Sequence, residues 1–198
     1  VWNSEDDFSS EKGLTVTEII DQAYAGNIKG MYIQGENPAM SDPDSNHARA
    51  GLAKLDHLIV QDIFLTETAY FADVVLPASA FPEKTGTFVN SDRSVQLGRQ
   101  ALDPPGEAKQ DLWIIQEIAK RLGLDWNYDS AEPVFNEMRK GMDSIGGITW
   151  ERLQNESVTY PCKEEGDAGS PIIFKESFPT QSGRALLVPA AIVAPDET

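Results

Sequence analysis

The chain has 198 residues, a mass of 21.7 kDa and a formal net charge of −16, which predicts one domain with a core of its own, with or without a small appendage. Its surplus of acidic residues argues against nucleic acid and anionic membranes as partners, because both require basic surface. Cys162 is the only cysteine, so the chain cannot hold an internal disulfide framework or an iron–sulfur cluster by itself, and a reducing, cytoplasmic location is expected.

The chain also shows no membrane-spanning or signal segment. Its longest apolar run, residues 185–194, is interrupted by Pro189 and falls well short of the roughly 20 residues of a membrane span, so direct membrane insertion is not expected. The sequence opens on Val1 and an acidic stretch at residues 5–7, unlike the basic start of a signal peptide. We therefore expect a piece of a longer polypeptide, entered through a polar linker at residues 1–12.

The first half of the chain alternates helical and apolar patterns. Thr15 and Glu18 have the spacing of a capping box, which predicts a helix from Thr15 onward. Three short apolar runs at residues 29–35, 56–62 and 73–76 predict buried strands, and helical patterns lie between them at 41–55 and 66–72. The order β-α-β-α-β predicts an α/β fold: a doubly wound, mainly parallel, Rossmann-like sheet with helices on both faces.

The second half is less regular. Residues 86–90 and 94–97 predict a hairpin, and residues 111–122 carry the clearest helical pattern of the chain. From Trp126 onward the pattern weakens. We therefore expect an α/β domain at residues 13–125 and an irregular C-terminal extension at residues 126–198.

Ligands of open parallel sheets bind beyond the carboxyl ends of the strands, which here are followed by the loops at residues 35–38, 61–66 and 77–87. None of these loops contains a dinucleotide-binding or phosphate-binding glycine motif. His47 and His57 lack partners at metal-ligand spacing, so no metal site and no catalytic residue is predicted.

Each candidate binding residue in these loops has two interpretations. Gly35 and Asn37 can form a plain turn, or the Asn37 amide can contact a ligand. Asp62 and Asp111 can cap the helices that follow them, or their carboxylates can accept the ring N–H and the exocyclic amine of guanine. Lys84 is either a solvated surface lysine or a cation for a phosphate or another ligand oxygen.

Taken together, six segments of the chain resemble the molybdopterin oxidoreductase family, and among its members the formate dehydrogenases. The resemblance covers about residues 13–162 and is carried in order by Gly35–Pro38, Ser41–Asp44, Gln61–Thr68, Ala72–Pro77, Glu83–Thr87 and Pro105–Trp113. A joint match of this kind is far more specific than any single motif.

The resemblance implies that residues 13–125 bind one molybdopterin guanine dinucleotide. The residues that would line the cofactor are Gly35, Asn37, Gln61, Asp62, Thr66, Lys84 and Asp111. Asp62 and Asp111 would bind the guanine, and Lys84 would face the pterin or phosphate side. Gln61 departs from the small hydroxyl residue of some relatives, so a role for its side chain is open while its backbone could still serve.

In the parent enzyme, the resemblance implies, a molybdenum or tungsten centre oxidises formate to carbon dioxide. Iron–sulfur clusters would lie outside this chain, and the expected partners are the remaining domains of the same polypeptide and iron–sulfur or NAD-linked electron-transfer subunits. The isolated chain would be inactive, because the family's metal ligand and catalytic residues have no counterpart here. The alternatives are a stand-alone nucleotide-binding or interaction module on the same fold, and a domain of a related nitrate reductase.

Overall fold

The computed structural model describes residues 9–192, so only residues 9–12 of the expected linker are described, and these form no helix or strand. The chain divides into two compact units. Unit 1 contains the residues up to Lys84 together with Gln100–Asn127, and unit 2 contains Thr85–Arg99 together with the residues from Tyr128 onward. Among the described residues, no helix is both long enough and apolar enough to cross a membrane.

Unit 1 is built on the predicted parallel sheet. Its strands are β1 (Gly30–Gln34), β2 (His57–Asp62) and β3 (Val74–Pro77), hydrogen-bonded in the order β1-β2-β3. The helices are α1 (Val16–Tyr24), α2 (Pro38–Ser41), α3 (Ser45–Leu52) and α4 (Asp111–Arg121), with 3-10 turns at Ala69–Phe71 and Phe81–Glu83. The predicted capping box at the start of α1 is confirmed, whereas the helix expected at residues 66–72 is only the first of these 3-10 turns.

Helices lie on both faces of this sheet, as predicted. On one face Ile33, Leu58 and Val60 form a buried cluster with Leu52 of α3 and Ala39 of α2. The other face is opposite α4, and between them lies an apolar cavity of about 860 Å³. The cavity is lined by Tyr32, Ile59 and Leu76 of the sheet and by Ile114 and Ile118 of α4. The α/β class and the parallel sheet are therefore as the sequence predicted.

Unit 2 contains an antiparallel sheet and two further helices. The predicted hairpin consists of β4 (Gly86–Val89) and β5 (Ser94–Gly98), and β5 also pairs with β6 (Val158–Thr159). The helices are α5 (Ala131–Gly141) and α6 (Trp150–Leu153), with a 3-10 turn at Asp143–Ile145. A buried cluster joins these elements: Val95, Phe135, Ile145, Ile148, Trp150, Leu153, Val158 and Cys162.

The region after residue 126 is therefore more regular than its sequence indicates as far as β6, and the described residues that follow, 160–192, contain no helix or strand. The hairpin lies in unit 2, although the expected division placed it inside residues 13–125. The physical reason is the pairing of β5 with β6, about sixty residues further along the chain. A local sequence pattern carries no signal for a pairing at that separation.

Candidate functional site

The carboxyl ends of the three parallel strands place the predicted loops along one edge of the sheet of unit 1. Gln34 is opposite Gln61 in the strand register, and Asp62 is opposite Pro77. Gly35 leaves β1 with a φ of +65°, a conformation that favours glycine, and its N–H donates to the Gln61 carbonyl at 2.9 Å. The loop after β1 therefore begins against the end of β2.

Three of the predicted binding residues form one polar cluster at this edge. The Lys84 ammonium forms an ion pair with Asp111 Oδ2 and donates to the Ser79 carbonyl at 3.2 Å. Gln61 Nε2 donates to Asp111 Oδ1 at 2.6 Å. The Tyr32 hydroxyl donates to Gln61 Oε1. Asp111 therefore receives a charged donor on one oxygen and a neutral donor on the other.

Burial differs across this cluster. Gln61 is 0% exposed, whereas the side chains of Lys84 and Asp111 keep 27% and 24% of their surface. Burial raises the pKa of Tyr32, and the nearby negative charge of Asp111 raises it further, so its hydroxyl stays protonated and able to donate near neutral pH. Lys84, Asp111 and the partly exposed Tyr32 are thus the members that a ligand can reach, whereas Gln61 is not.

A short extension of the sheet brings Asp111 to this edge. Ala78 and Lys109 form a parallel bridge, in which the Lys109 N–H donates to the Pro77 carbonyl at 3.0 Å and the Ser79 N–H to the Lys109 carbonyl at 2.9 Å. The segment that enters α4 is therefore held beside the end of β3. The N-cap of α4 is Gln110, and Asp111 is the first helical residue, so the capping interpretation of Asp111 is wrong.

Asn37 belongs to a second polar group, which joins the loop after β1 to the loop after β2. Its Oδ1 accepts from the Thr68 N–H at 3.1 Å and from the Thr68 hydroxyl at 2.8 Å, and its Nδ2 donates to Glu67 at 2.7 Å. The bond from Asn37 is the main cause that lowers the pKa of Glu67. Thr68 is fully buried, and its hydroxyl oxygen also accepts from the Ala39 N–H at 3.1 Å.

Asp62 and Thr66 make local bonds that shape the loop after β2. Asp62 Oδ1 accepts from the N–H groups of Ile63 at 2.6 Å and Phe64 at 3.4 Å, which is the bonding of an Asx turn. The Thr66 hydroxyl accepts from the Ala69 N–H at 3.3 Å, at the first residue of the following 3-10 turn. The structure thus brings Gln61, Lys84 and Asp111 together, and Asn37, Asp62 and Thr66 belong to neighbouring loops.

Sequence reasoning missed three residues that organise this edge: Tyr32, Thr68 and Ser79. Tyr32 is a hydroxyl-bearing residue in the middle of a mostly apolar strand, two residues before Gln34, the partner of Gln61 in the register. This position was the sequence signal that could have indicated its contact with Gln61. Ser79 follows β3 and is fully buried. Its Oγ is the only buried side-chain oxygen or nitrogen of the described residues that lacks a hydrogen-bond partner.

The described residues contain no group of three or more His, Cys, Asp or Glu side chains that could hold a metal ion. Cys162 is fully buried in unit 2, where its thiol lies 3.5 Å from an Arg152 nitrogen and from the Asp167 carbonyl. What the sheet edge of unit 1 offers instead is a carboxylate, an ammonium group and several backbone groups. This set of groups suits an organic ligand that carries hydrogen-bond donors and anionic oxygens.

Comparison with characterised proteins identifies similar chains. The chain is 48% identical over 185 residues to the F420-dependent formate dehydrogenase subunit alpha of Methanocaldococcus jannaschii, an alignment that covers 92% of this chain and 27% of that protein. It is 41% identical over 199 residues to the F420-dependent formate dehydrogenase 2 subunit alpha of Methanococcus maripaludis, covering 100% of this chain and 29% of the relative. The chain thus spans less than a third of the length of these relatives.

A solved structure has a similar fold. Acetylene hydratase from Pelobacter acetylenicus superposes with a TM-score of 0.59 at 25% sequence identity, over 75% of this chain and 21% of the other. Residues 4–121 match the molybdopterin oxidoreductase family, a range that contains β1–β3, α4 and every predicted binding residue. The chain therefore belongs to the molybdopterin oxidoreductase family.

Proposed function

We propose that this chain forms part of the cofactor-binding surface of a longer formate dehydrogenase and that the cofactor form it binds is molybdopterin guanine dinucleotide. The observation that carries the proposal is the cluster of Gln61, Lys84 and Asp111 at the carboxyl edge of the parallel sheet. Two relatives named as formate dehydrogenase alpha subunits, both more than 40% identical, support formate as the substrate.

The chemistry of Asp111 suits guanine. Guanine presents a ring N–H and an exocyclic amine side by side, and a carboxylate accepts both, whereas adenine has an acceptor where guanine has the ring N–H. Each Asp111 oxygen accepts one bond within the protein. Because a carboxylate oxygen has two lone pairs, one acceptor position remains on each oxygen. We propose that these two positions bind the guanine edge, with Asp62 as a second acceptor from the adjacent loop.

Lys84 and Ser79 fit the anionic part of the same cofactor. The Lys84 side chain is about a quarter exposed, and its ammonium group offers a positive charge to a phosphate or pterin oxygen. The buried Ser79 hydroxyl has no partner among the described residues, and an unmet buried polar group is costly unless a ligand or an ordered water completes it. Asn37 and the backbone of the Gly35 loop would contact the pterin side, and Thr66 would hold the loop beside them.

The cofactor, with molybdenum or tungsten, supplies the two-electron oxidation of formate when it is bound. Within this proposal the residues of this chain bind and orient the cofactor. The rest of the polypeptide and partner subunits carry the electrons onward through iron–sulfur clusters to an acceptor such as NAD or the F420 named for the two relatives. The single cysteine, buried and unpaired, supports a cytoplasmic location.

An Asp111→Asn substitution in the full-length enzyme tests the proposal. The amide keeps the size of the side chain but cannot accept from both guanine donors, and loss of a charge-assisted bond costs roughly 1.5–3 kcal/mol. We expect bound guanine nucleotide, measured after acid release, to be retained about tenfold to a hundredfold less tightly. The thermal midpoint should fall as well, because the substitution removes the ion pair with Lys84, so nucleotide retention and not the midpoint is the measurement that tests the proposal.

Asp125→Asn is the matched control. Asp125 is an exposed aspartate of the same unit, four residues beyond the end of α4, and its substitution removes the same charge. The control should retain guanine nucleotide as the unmodified enzyme does. Wild-type retention in Asp111→Asn would contradict the proposed role of Asp111.

A further inference from the structure

We infer that Gln61 and Tyr32 are positioning residues, which hold the Asp111 carboxylate in one orientation so that its two free acceptor positions are ready for a purine base. The inference rests on the proposed function and deepens it. It also gives Gln61 a different role from the expected cofactor contact: its side chain acts through Asp111.

Burial shows that the Gln61 side chain is committed within the protein. Gln61 is 0% exposed and lies in β2 beside the apolar Val60. Its amide nitrogen bonds to Asp111 and its amide oxygen bonds to Tyr32. Because a buried amide without partners is costly, these bonds and not a ligand account for both ends of the group.

The orientation of the amide follows from the chemistry of its neighbours. An ionised carboxylate only accepts hydrogen bonds, so the nitrogen end of Gln61 must face Asp111. The oxygen end then faces Tyr32, whose hydroxyl must donate. Donation therefore runs in one direction, from Tyr32 to Gln61 and from Gln61 to Asp111. Without the Tyr32 hydroxyl, the amide oxygen would lose its donor and the nitrogen would no longer be held toward Asp111.

The consequence is a carboxylate that is oriented before a ligand arrives. Gln61 holds Oδ1 and Lys84 holds Oδ2, so rotation of the Asp111 side chain breaks at least one bond. Ordering a side chain in advance removes part of the entropic cost of binding. Tyr32 contributes although it belongs to another strand, because β1 and β2 are adjacent in the sheet.

The test uses Gln61→Met and Tyr32→Phe in the full-length enzyme, each alone and each combined with Asp111→Asn. The measurement is the rate at which guanine nucleotide is lost on dialysis, followed by acid release of the nucleotide that remains. Each single substitution should raise this rate about threefold to tenfold, because Tyr32→Phe removes one hydrogen bond of this series and Gln61→Met removes both. In the Asp111→Asn background neither should raise it further, because both residues act through Asp111.

Two substitutions serve as matched controls. Gln34→Met changes the exposed glutamine that pairs with Gln61 in the register, and Tyr24→Phe removes the hydroxyl of a half-exposed tyrosine on α1. Both should lose guanine nucleotide at the wild-type rate. If Gln61→Met does not fold, Tyr32→Phe decides the test, since it deletes a single hydroxyl from a residue that is 39% exposed.

The outcomes separate this inference from the proposed function. Wild-type loss rates in Gln61→Met and Tyr32→Phe, together with rapid loss in Asp111→Asn, would overturn the positioning role and leave the proposed function standing. The positioning role would also be overturned if Gln61→Met and Tyr32→Phe raised the rate of nucleotide loss in the Asp111→Asn enzyme by the same factor as in the wild-type enzyme. The two residues would then act independently of Asp111. A wild-type loss rate in Asp111→Asn itself would contradict the proposed function, on which this inference rests.

Discussion

The Asn37 amide shows how one side chain can connect two loops. Its oxygen accepts two bonds from Thr68 and its nitrogen donates to Glu67, so the loops after β1 and β2 are joined through a single group. Asn37 is also the N-cap residue of α2, but its side chain makes no capping bond there. A plain turn therefore explains why Asn37 stands between β1 and α2, but not why its side chain bonds to Thr68 and Glu67. A contact between Asn37 and the cofactor stays a prediction.

Substitution of Thr68 tests this connection. Thr68→Val keeps the shape of the buried side chain but removes the hydroxyl, which leaves the Ala39 N–H and one Asn37 acceptor position without their partner. Loss of a partner from a buried polar group costs about 1–3 kcal/mol. We expect the urea midpoint of the 198-residue chain to fall accordingly.

Thr17→Val is the control for this prediction, because Thr17 is an exposed residue on α1 and such surface changes stay within about 0.5 kcal/mol. Equal midpoints for Thr68→Val and Thr17→Val would show that the Thr68 bonds add nothing to stability.

The elements of the chain differ in how strongly they depend on contacts with other segments. Helix α1 begins where its capping box predicts, with the Thr15 N–H donating to Glu18 at 2.6 Å. The turn before α6 depends instead on a close backbone approach. The Gly147 N–H donates to the Cys162 carbonyl at 2.9 Å, and a Cβ on Gly147 would lie 2.1 Å from the Glu164 carbonyl oxygen.

Gly147→Ala should therefore destabilise unit 2. Its new methyl group would meet backbone atoms, which cannot move aside as a flexible side chain can, and overpacking of this kind costs typically about 1–3 kcal/mol. The urea midpoint, followed by tryptophan fluorescence because Trp150 is in the same buried cluster, measures the change.

Gly141→Ala is the matched control, since Gly141 is the last residue of α5 and an added Cβ there would meet nothing within 4 Å. It should be neutral or slightly stabilising, because alanine has less backbone freedom to lose than glycine on folding. If the two alanine variants unfolded at the same midpoint, the close approach at Gly147 would carry no energetic weight.

The whole chain carries 32 acidic and 16 basic residues, and this imbalance bears on both stability and cofactor binding. A compact chain with a large net charge is destabilised by its own repulsion. The same surplus means that long-range attraction does not draw in an anionic dinucleotide. Binding must rest on local groups such as Lys84 and on backbone N–H groups at the sheet edge.

Salt should therefore stabilise the chain. Raising the ionic strength from about 0.01 M to about 0.15 M shortens the screening length from roughly 30 Å to roughly 8 Å, so repulsion between the acidic groups weakens. We expect the urea midpoint to rise over this range at neutral pH. A midpoint that stays constant or falls would show that local ion pairs such as Lys84–Asp111 outweigh the general repulsion.

Local patterns in the sequence were enough to predict the parallel sheet, the hairpin, α1 and α4. Each of these depends on neighbouring residues: the capping box of Thr15 and Glu18, the apolar runs of β1 and β2, or the helical period of α4. The combined motifs were enough to predict the family and to indicate Lys84 and Asp111, whose side chains the structure brings into contact.

Only the folded structure decided that Gln61 is buried between Tyr32 and Asp111, that Asn37 binds Thr68, and that the hairpin lies in unit 2 with β6. Gln61 and Asp111 are fifty positions apart, and the direction of an amide depends on which donors and acceptors surround it in space. Sequence spacing contains no such information, because hydrogen bonds between distant residues are set by the strand register and the packing that bring those residues together.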